Sequence, residues 1–175
     1  MSQYCPWIID IEASGFGPHS YPIEIGIVDD HGNVFCKLIT PADDWVHWDK
    51  EAELIHKIKP ALLKKYGWSI QEVASELNEF LRGKTVHSDG WVVDKPWIIK
   101  LFHSANITPD FFISPIESIL NEEQLNSWDK IKIQVINDLK LQRHRASSDA
   151  RVIQETYLRT RYPDNFTSKS ENRKE

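Results

Sequence analysis

Two carboxylates interrupt the first apolar run of the sequence. The run 6–12, PWIIDIE, is short and rich in β-branched and aromatic residues, which predicts a strand. Because side chains alternate along a strand, Asp10 and Glu12 point to the same face, about 6.6 Å apart along the backbone. Two ionised acids at that spacing repel each other, and burying them without a counter-charge is costly. The pair therefore predicts a divalent-cation site on this strand, with a salt-bridged strand end as the alternative explanation.

The same spacing of two acids recurs later in the chain without the same meaning. Carboxylates two residues apart also occur at Asp49/Glu51 and Glu51/Glu53. Both pairs lie where a helix is predicted to begin, and acids there are favoured by the helix dipole without any further role. Only Asp10 and Glu12 lie in an apolar strand.

A histidine and an aspartate lie close together near the C-terminal end, in the run 144–149, HRASSD. On a continuous helix His144 and Asp149 would be separated by about 140°. Ser147 or Ser148, however, is a good N-cap for the last helix, which leaves His144 in the preceding loop and Asp149 in the first turn. From there both can reach one cavity. The alternative is a surface histidine beside an acid that complements the helix dipole.

A third group of candidate acids lies between these two motifs. A predicted strand, 84–88, leads into Asp89, and Asp94 is expected just before a helix over about 95–104 with Pro96 in its first turn. The alternatives are an ordinary N-cap for Asp94 and a turn residue for Asp89.

The elements that must position these residues follow from hydrophobic period and turn chemistry. Strands are expected at 6–12, 23–28, 34–39, 84–88 and 111–113, and helices at 49–57, 69–82, 95–104, within 121–141 and at 148–161. The turn residues 29–33 join the second and third strands in a hairpin. Strands that begin as a hairpin and then alternate with helices predict an α/β domain with a mixed sheet. We expect one domain over 1–163, followed by a polar tail, 164–175.

The composition limits the class of protein. Its 175 residues, 41% apolar and 27% charged, are typical of one globular domain. The net charge of −5 does not indicate a basic nucleic-acid-binding surface, although an enzyme that gathers carboxylates around divalent cations can be acidic overall. The apolar stretches are too short to cross a bilayer, which predicts a cytoplasmic protein with no membrane partner. Cys5 and Cys36 are too few for a disulfide framework or a four-ligand zinc site, and we expect both to be small buried residues.

The order Asp-x-Glu, Asp, His-x4-Asp resembles the DEDDh branch of the DnaQ-like 3′-5′ exonucleases, and the resemblance extends over 7–158. Ser14, Gly15 and Phe16 resemble the Thr/Ser-Gly-apolar loop of that family, and the run 22–26, PIEIG, is similar to its second strand. The resemblance implies a ribonuclease H-like fold, in which a mixed five-stranded sheet is flanked by helices and the site lies at the strand ends.

The resemblance also implies a role for each motif residue. The residues that correspond to metal ligands are Asp10, Glu12, Asp94 and Asp149, and His144 corresponds to the general base. These ligands would hold two Mg²⁺ or Mn²⁺ ions, which carboxylate oxygens suit. The family usually shows His-Asn-x-x-Phe-Asp around the third acid, whereas the run 86–94, VHSDGWVVD, is longer and lacks the Asn. Asp89 therefore stays open as the third acid.

The implied activity is metal-dependent 3′-5′ exonuclease hydrolysis of single-stranded RNA or DNA with a free 3′ end, which releases nucleoside 5′-monophosphates. Phe16 is expected to stack on terminal bases, with Ser14 and Gly15 in the same binding loop. Trp91 and Trp97 could assist, with core packing as the alternative for each. The candidates for phosphate contacts, with a solvated charged surface as the alternative, are Lys95, Lys100, Arg143 and Arg145. Two other functions stay open: a non-catalytic binding or proofreading-like module, and a phosphohydrolase acting on small nucleotides. Several relatives are homodimers, so a homodimer is compatible with the resemblance.

Overall fold

One mixed sheet organises the protein in the computed structural model, which describes residues 3–166. Its strands are β1 (Ile8–Ala13), β2 (Pro22–Val28), β3 (Val34–Leu38), β4 (Thr85–Ser88) and β5 (Phe112–Pro115). They lie side by side in the order β3-β2-β1-β4-β5. The β1–β2 and β2–β3 pairs are antiparallel, whereas β1–β4 and β4–β5 are parallel, so β2 alone runs in the opposite direction. The expected mixed five-stranded sheet is confirmed.

Helices cover both faces of this sheet. They are α1 (Lys50–His56), α2 (Pro60–Tyr66), α3 (Ile70–Leu81), α4 (Trp91–Ala105), α5 (Glu122–Leu139) and α6 (Ala146–Arg161), with a short 3-10 helix at Ile116–Ile119. α3 begins with a capping box in which Ser69 and Glu72 satisfy each other's backbone N–H groups, as expected from the sequence. α2 was not predicted from the sequence.

The alternation of β1 separates two apolar cores. Ile9 and Ile11 are buried in the larger core, which also contains residues of α3 and α4 such as Leu77 and Leu101. Ile8 points to the other face, where it packs in a smaller core with residues of α6. Since Asp10 and Glu12 follow Ile8 at steps of two, β1 directs them to the α6 side of the sheet.

A glycine allows α6 to approach that side closely. A Cβ atom at Gly26 of β2 would lie 2.1 Å from the backbone nitrogen of Ser147 and 2.2 Å from the carbonyl carbon of Ala146. No side chain fits in that space, so the first turn of α6 rests directly on β2. Because β2 pairs with β1, this contact brings Asp149 beside the acidic pair.

Two helix starts differ from the sequence expectation. α4 begins at Trp91 rather than near residue 95, because the Asp94 N–H already donates to the Gly90 carbonyl at 3.0 Å. Asp94 therefore lies inside the first turn of the helix, and Pro96 lies further along it. α6 begins at Ala146, and the predicted serine cap is wrong. The Ala146 N–H donates at 2.8 Å to the carboxylate of Glu24, so a side chain of strand β2 takes the place of a local N-cap.

The expected tail and the expected burial of the two cysteines can be compared with the structure. Residues 164–166 of the expected tail form a helical turn, and its remainder lies outside the described residues. Cys5 is partly buried and Cys36 is exposed on β3, an edge strand, so the expectation that both are buried is wrong. Within residues 3–166, no helix is both long and apolar enough to cross a membrane.

Candidate active site

A cavity of about 290 Å³ opens beside β1, the central strand of the sheet. Its walls come from β1, the loop after it, α1, the start of α4 and the loop before α6. The lining residues are Asp10, Ile11, Glu12, Ala13, Gly15, Phe16, Ala52, Ile55, His56, Gly90, Val93, Asp94, Trp97 and His144. The structure thus brings to one cavity the acids of two sequence motifs and the histidine of a third.

Three of the expected site residues are close enough to share one ion. One ligand atom each from Glu12, His144 and Asp149 lies within 4.8 Å of the other two. Asp10 and Asp94 line the same cavity, and the charges of Asp94, Glu12 and Asp149 all act on Asp10.

Burial and mutual repulsion disfavour the ionised form of these acids. Burial raises the pKa of Asp10 well above its ordinary value, and the charges of Asp94, Glu12, Asp149 and Asp89 raise it further. Burial, followed by the charge of Asp149, raises the pKa of Glu12 to about 8. Burial also raises the pKa of Asp94 to about 7. Oxygen ligands that repel one another in this way fit a hard divalent cation such as Mg²⁺ or Mn²⁺.

The raised pKa values predict that the metal-free protein loses stability as the pH rises. The pKa of Glu12 is 4.5 in the unfolded chain and about 8 in the folded protein. Between these pH values the folded state binds more protons than the unfolded state. The free energy of unfolding therefore falls as the pH rises. We expect chemical denaturation in EDTA to give lower stability at pH 8 than at pH 5, and Mn²⁺ to restore more stability at pH 8. In the Glu12→Gln variant, the free energy of unfolding should depend less on pH. The same pH dependence in the variant and the wild type contradicts the prediction.

The two alternatives for the third acid occupy different surroundings. Asp94 lines the cavity, and its carboxylate accepts a hydrogen bond from the buried Ser88 hydroxyl. Asp89 forms an ion pair with Lys132 of α5. The geometry therefore favours Asp94 as the acid that faces the cavity.

Asp149 is held by the loop that precedes α6. Its carboxylate accepts hydrogen bonds from Nε of Arg143 at 2.6 Å and from the backbone N–H of His144 at 3.0 Å. His144 has a φ of 58°, in the left-handed region, which is uncommon for residues other than glycine. This backbone conformation turns the His144 N–H toward Asp149 and leaves the imidazole exposed at the cavity.

Sequence reasoning missed an ion pair between a buried acid and a partly exposed arginine. Glu24 lies opposite Glu12 in the β1–β2 register and is fully buried. Its carboxylate contacts the Arg145 guanidinium, with Nε 3.1 Å from each oxygen, and accepts the Ala146 N–H. Loss of Arg145 would leave a buried carboxylate without its counter-charge, which is destabilising. The signal was available, because Glu24 interrupts an apolar strand just as Asp10 does.

A buried histidine was missed as well. Nδ1 of His56 accepts the Ile58 N–H at 3.0 Å, so the neutral ring carries its proton on Nε2. Burial lowers the pKa of His56, which favours this neutral form. His56 lines the cavity, and within residues 3–166 its buried Nε2 has no hydrogen-bond partner. The cavity therefore contains a donor that a bound molecule can satisfy.

The loop after β1 has a structural and an exposed part. Ser14 is buried, and its hydroxyl accepts the Tyr21 N–H at 3.2 Å. Gly15 has a φ of 145°, and a Cβ there would lie 2.7 Å from atoms of His47 and Asp49, so only glycine fits. Phe16 is 71% exposed at the cavity.

The two tryptophans expected near the substrate differ in position. Trp97 lines the cavity but is buried, and its ring centroid is 6.2 Å from that of Phe16. Trp91 is not among the lining residues, and its indole N–H donates to the Ile113 carbonyl at 3.1 Å. Trp97 thus packs against Phe16, whereas Trp91 forms a hydrogen bond that joins α4 to β5.

The basic residues expected at phosphates already have protein partners. Lys95 lies over the Trp91 ring at 4.9 Å, and Nζ of Lys100 donates to the Ser20 carbonyl at 2.7 Å. Arg143 and Arg145 pair with acids of the site, as described above.

Solved structures share this architecture. E. coli exonuclease I in complex with a dA16 oligonucleotide superposes with a TM-score of 0.65 at 15% identity, covering 93% of this chain and 42% of that chain. The zinc-bound form of the E. coli exonuclease I complex with single-stranded DNA gives 0.68 at 15% identity, with coverage of 93% and 42%. A moderately thermophilic exonuclease I from Methylocaldum szegediense gives 0.69 at 17% identity, with coverage of 90% and 40%. The chain has the exonuclease I fold.

The exonuclease I fold confirms the ribonuclease H-like architecture that the resemblance implied. The chain spans about two fifths of the length of these structures. No family model matches the sequence, and no curated protein sequence matches it significantly.

Proposed function

We propose that this protein is a metal-dependent 3′-5′ exonuclease that shortens single-stranded nucleic acid and releases nucleoside 5′-monophosphates. The observation that carries the proposal is that Asp10, Glu12, Asp94 and His144 line one cavity of the exonuclease I fold, and that a ligand atom of Asp149 lies within 4.8 Å of those of Glu12 and His144. The oligonucleotides bound in solved exonuclease I structures make single-stranded DNA the first substrate to test.

Four acids would hold the metal ions: Asp10, Glu12, Asp94 and Asp149. Two bound Mg²⁺ or Mn²⁺ ions would supply a water that is more acidic than bulk water, and positive charge for the phosphate and the leaving oxygen. Asp10 lies on the central strand and is affected by the charges of all three other acids, so it would be the most central of the four ligands.

His144 would act as the general base. Its imidazole is exposed at the cavity, and its ligand atom lies within 4.8 Å of those of Glu12 and Asp149. A neutral imidazole can accept a proton from an attacking water. The left-handed backbone of His144 and its N–H contact to Asp149 hold the ring at this position.

The substrate's terminal nucleotide would enter between the exposed Phe16 and α1. Phe16 offers an aromatic face, and stacking on such a face is independent of base identity. The unpartnered Nε2–H of His56 offers one buried hydrogen-bond donor to the same nucleotide. This combination suits a single strand rather than a duplex, because bases within a duplex have their faces covered by neighbouring base pairs and their Watson–Crick edges hydrogen-bonded to a partner.

An assay on 5′-labelled oligomers tests the proposal. With Mg²⁺ or Mn²⁺, we expect a ladder of products that shorten from the 3′ end, and no ladder from an oligomer whose 3′ end is blocked by phosphate. Oligomers that bind but remain intact with both metals support a non-catalytic module. Hydrolysis of mononucleotides without hydrolysis of oligomers supports a small-nucleotide phosphohydrolase.

The stacking role of Phe16 gives a prediction of its own. Phe16→Ala is expected to raise the KM for a single-stranded oligomer about 10-fold with little change in kcat, because base stacking contributes about 1–3 kcal/mol. Phe112→Ala is the matched control, since Phe112 on β5 is also 71% exposed but does not line the cavity. Equal KM values for the two variants would show that Phe16 does not hold the terminal base.

A further inference from the structure

Arg143 occupies a carboxylate that the proposed function assigns to a cation. Its Nε is 2.6 Å from one oxygen of Asp149, and the other oxygen accepts the His144 N–H. The side chains of Arg143 and Asp149 are 33% and 11% exposed, so the pair lies at the border of the site. A divalent cation bound by Glu12 and Asp149 would meet this guanidinium as a like charge.

The two arginines that flank His144 have equally exposed side chains, 33% for Arg143 and 32% for Arg145, but they make different numbers of hydrogen bonds. Arg145 donates to both oxygens of the fully buried Glu24 carboxylate through Nε and contacts it through Nη2 as well. Arg143 donates through Nε to a single oxygen of Asp149. It lies between α5 and α6, in a segment with left-handed backbone at both Lys140 and His144. Its long side chain can therefore change partner without disturbing a packed element.

We propose that Arg143 holds the place of the cation at Asp149 until one binds, and that its guanidinium then contacts a phosphate of the substrate strand. This role rests on the proposed function. The planar guanidinium matches phosphate oxygens as well as it matches a carboxylate, so both partners use the same donor geometry. While it is paired, Arg143 also reduces the repulsion among the acids of the metal-free site.

Mn²⁺ titration by calorimetry tests the first half without any nuclease assay. Arg143→Gln removes the competitor, so we expect Mn²⁺ to bind about fivefold more tightly than to the wild type, as loss of one hydrogen-bonded ion pair suggests. Arg151→Gln is the control, because Arg151 is an exposed arginine on α6 and its loss changes the net charge equally. Affinity that is unchanged or weaker in Arg143→Gln, or equally tightened in both variants, overturns the placeholder role.

Binding of a phosphorothioate dT oligomer tests the second half. In Mn²⁺, we expect Arg143→Gln to bind this oligomer about fivefold more weakly than the wild type, and in EDTA equally well. A purely structural role would weaken binding under both conditions, which would overturn the proposal. If neither the wild type nor any variant binds Mn²⁺, this inference and the proposed function both fail. If wild-type hydrolysis needs Mn²⁺ but Arg143→Gln binds Mn²⁺ and the oligomer as tightly as the wild type does, only this inference fails.

The wild-type protein provides a measurement that does not depend on a variant folding. The Nε–H signal of Arg143 in a nuclear magnetic resonance spectrum should move when Mg²⁺ saturates the protein, because its carboxylate partner is lost. An Arg143 signal that stays unchanged at saturating Mg²⁺ overturns the proposal.

Discussion

Asp10→Asn is expected to lower the rate of oligonucleotide hydrolysis on the order of 1,000-fold, because cation catalysis contributes several kcal/mol to the barrier. Asn has nearly the shape of Asp, so the packing of β1 should persist. Because one of several mutually repelling charges is removed, the metal-free protein should at the same time become more stable at pH 8. Loss of activity with gain of stability is a signature that a misfolded variant cannot produce.

The matched control for Asp10→Asn is Asp129→Asn, since Asp129 is an acid on α5 outside the cavity. It should leave hydrolysis and stability at wild-type values. Rates are compared on the same 5′-labelled oligomer in Mg²⁺ and in Mn²⁺, and stability by chemical denaturation in EDTA. If Asp10→Asn retains activity, the central acid is not a metal ligand and the proposed mechanism is wrong.

His144→Ala is expected to lower kcat by about 100- to 10,000-fold, the range of general base catalysis. Mn²⁺ affinity separates this role from that of a ligand, because His144 also lies within 4.8 Å of Glu12 and Asp149. An unchanged Mn²⁺ affinity supports the base, and a fall in affinity that parallels kcat shows a metal ligand instead.

His31→Ala serves as the control for His144→Ala. His31 lies in the turn between β2 and β3, and its side chain is 81% exposed. The control should show wild-type kcat and an unchanged pH–rate profile. A loss of activity in both histidine variants would point to a global effect rather than to the loss of a base.

Local periodicity was sufficient to predict how the acids of one strand are presented. The two-residue repeat of a strand places Asp10 and Glu12 on one face, and the structure has them on the α6 side. The five strands and their mixed pairing were also expected, because the turn 29–33 and the later alternation with helices are local signals. The structure brings Asp10, Glu12, Asp94 and His144 to one cavity and Asp149 close to Glu12 and His144, and their catalytic roles are proposed.

Contacts between distant parts of the chain could not be predicted in this way. Glu24 and Arg145 are 121 residues apart, and their pair replaces the serine cap that local sequence favours for α6. Nothing in the sequence around Gly26 distinguishes it from other strand residues. The reason that no side chain fits there is the contact with the backbone of α6, which only the structure shows. The same holds for Arg143, whose carboxylate partner depends on how the loop before α6 is placed.

The docking of α6 on Gly26 has a consequence for the order in which the protein matures. The acidic pair of β1 is synthesised early, whereas His144 and Asp149 leave the ribosome only after all five strands have been made. A nascent chain that has reached residue 140 therefore carries Asp10 and Glu12 without the residues that complete the cavity. If the proposed function is correct, a chain that terminates before α6 would lack His144 and Asp149 and would have no hydrolytic activity.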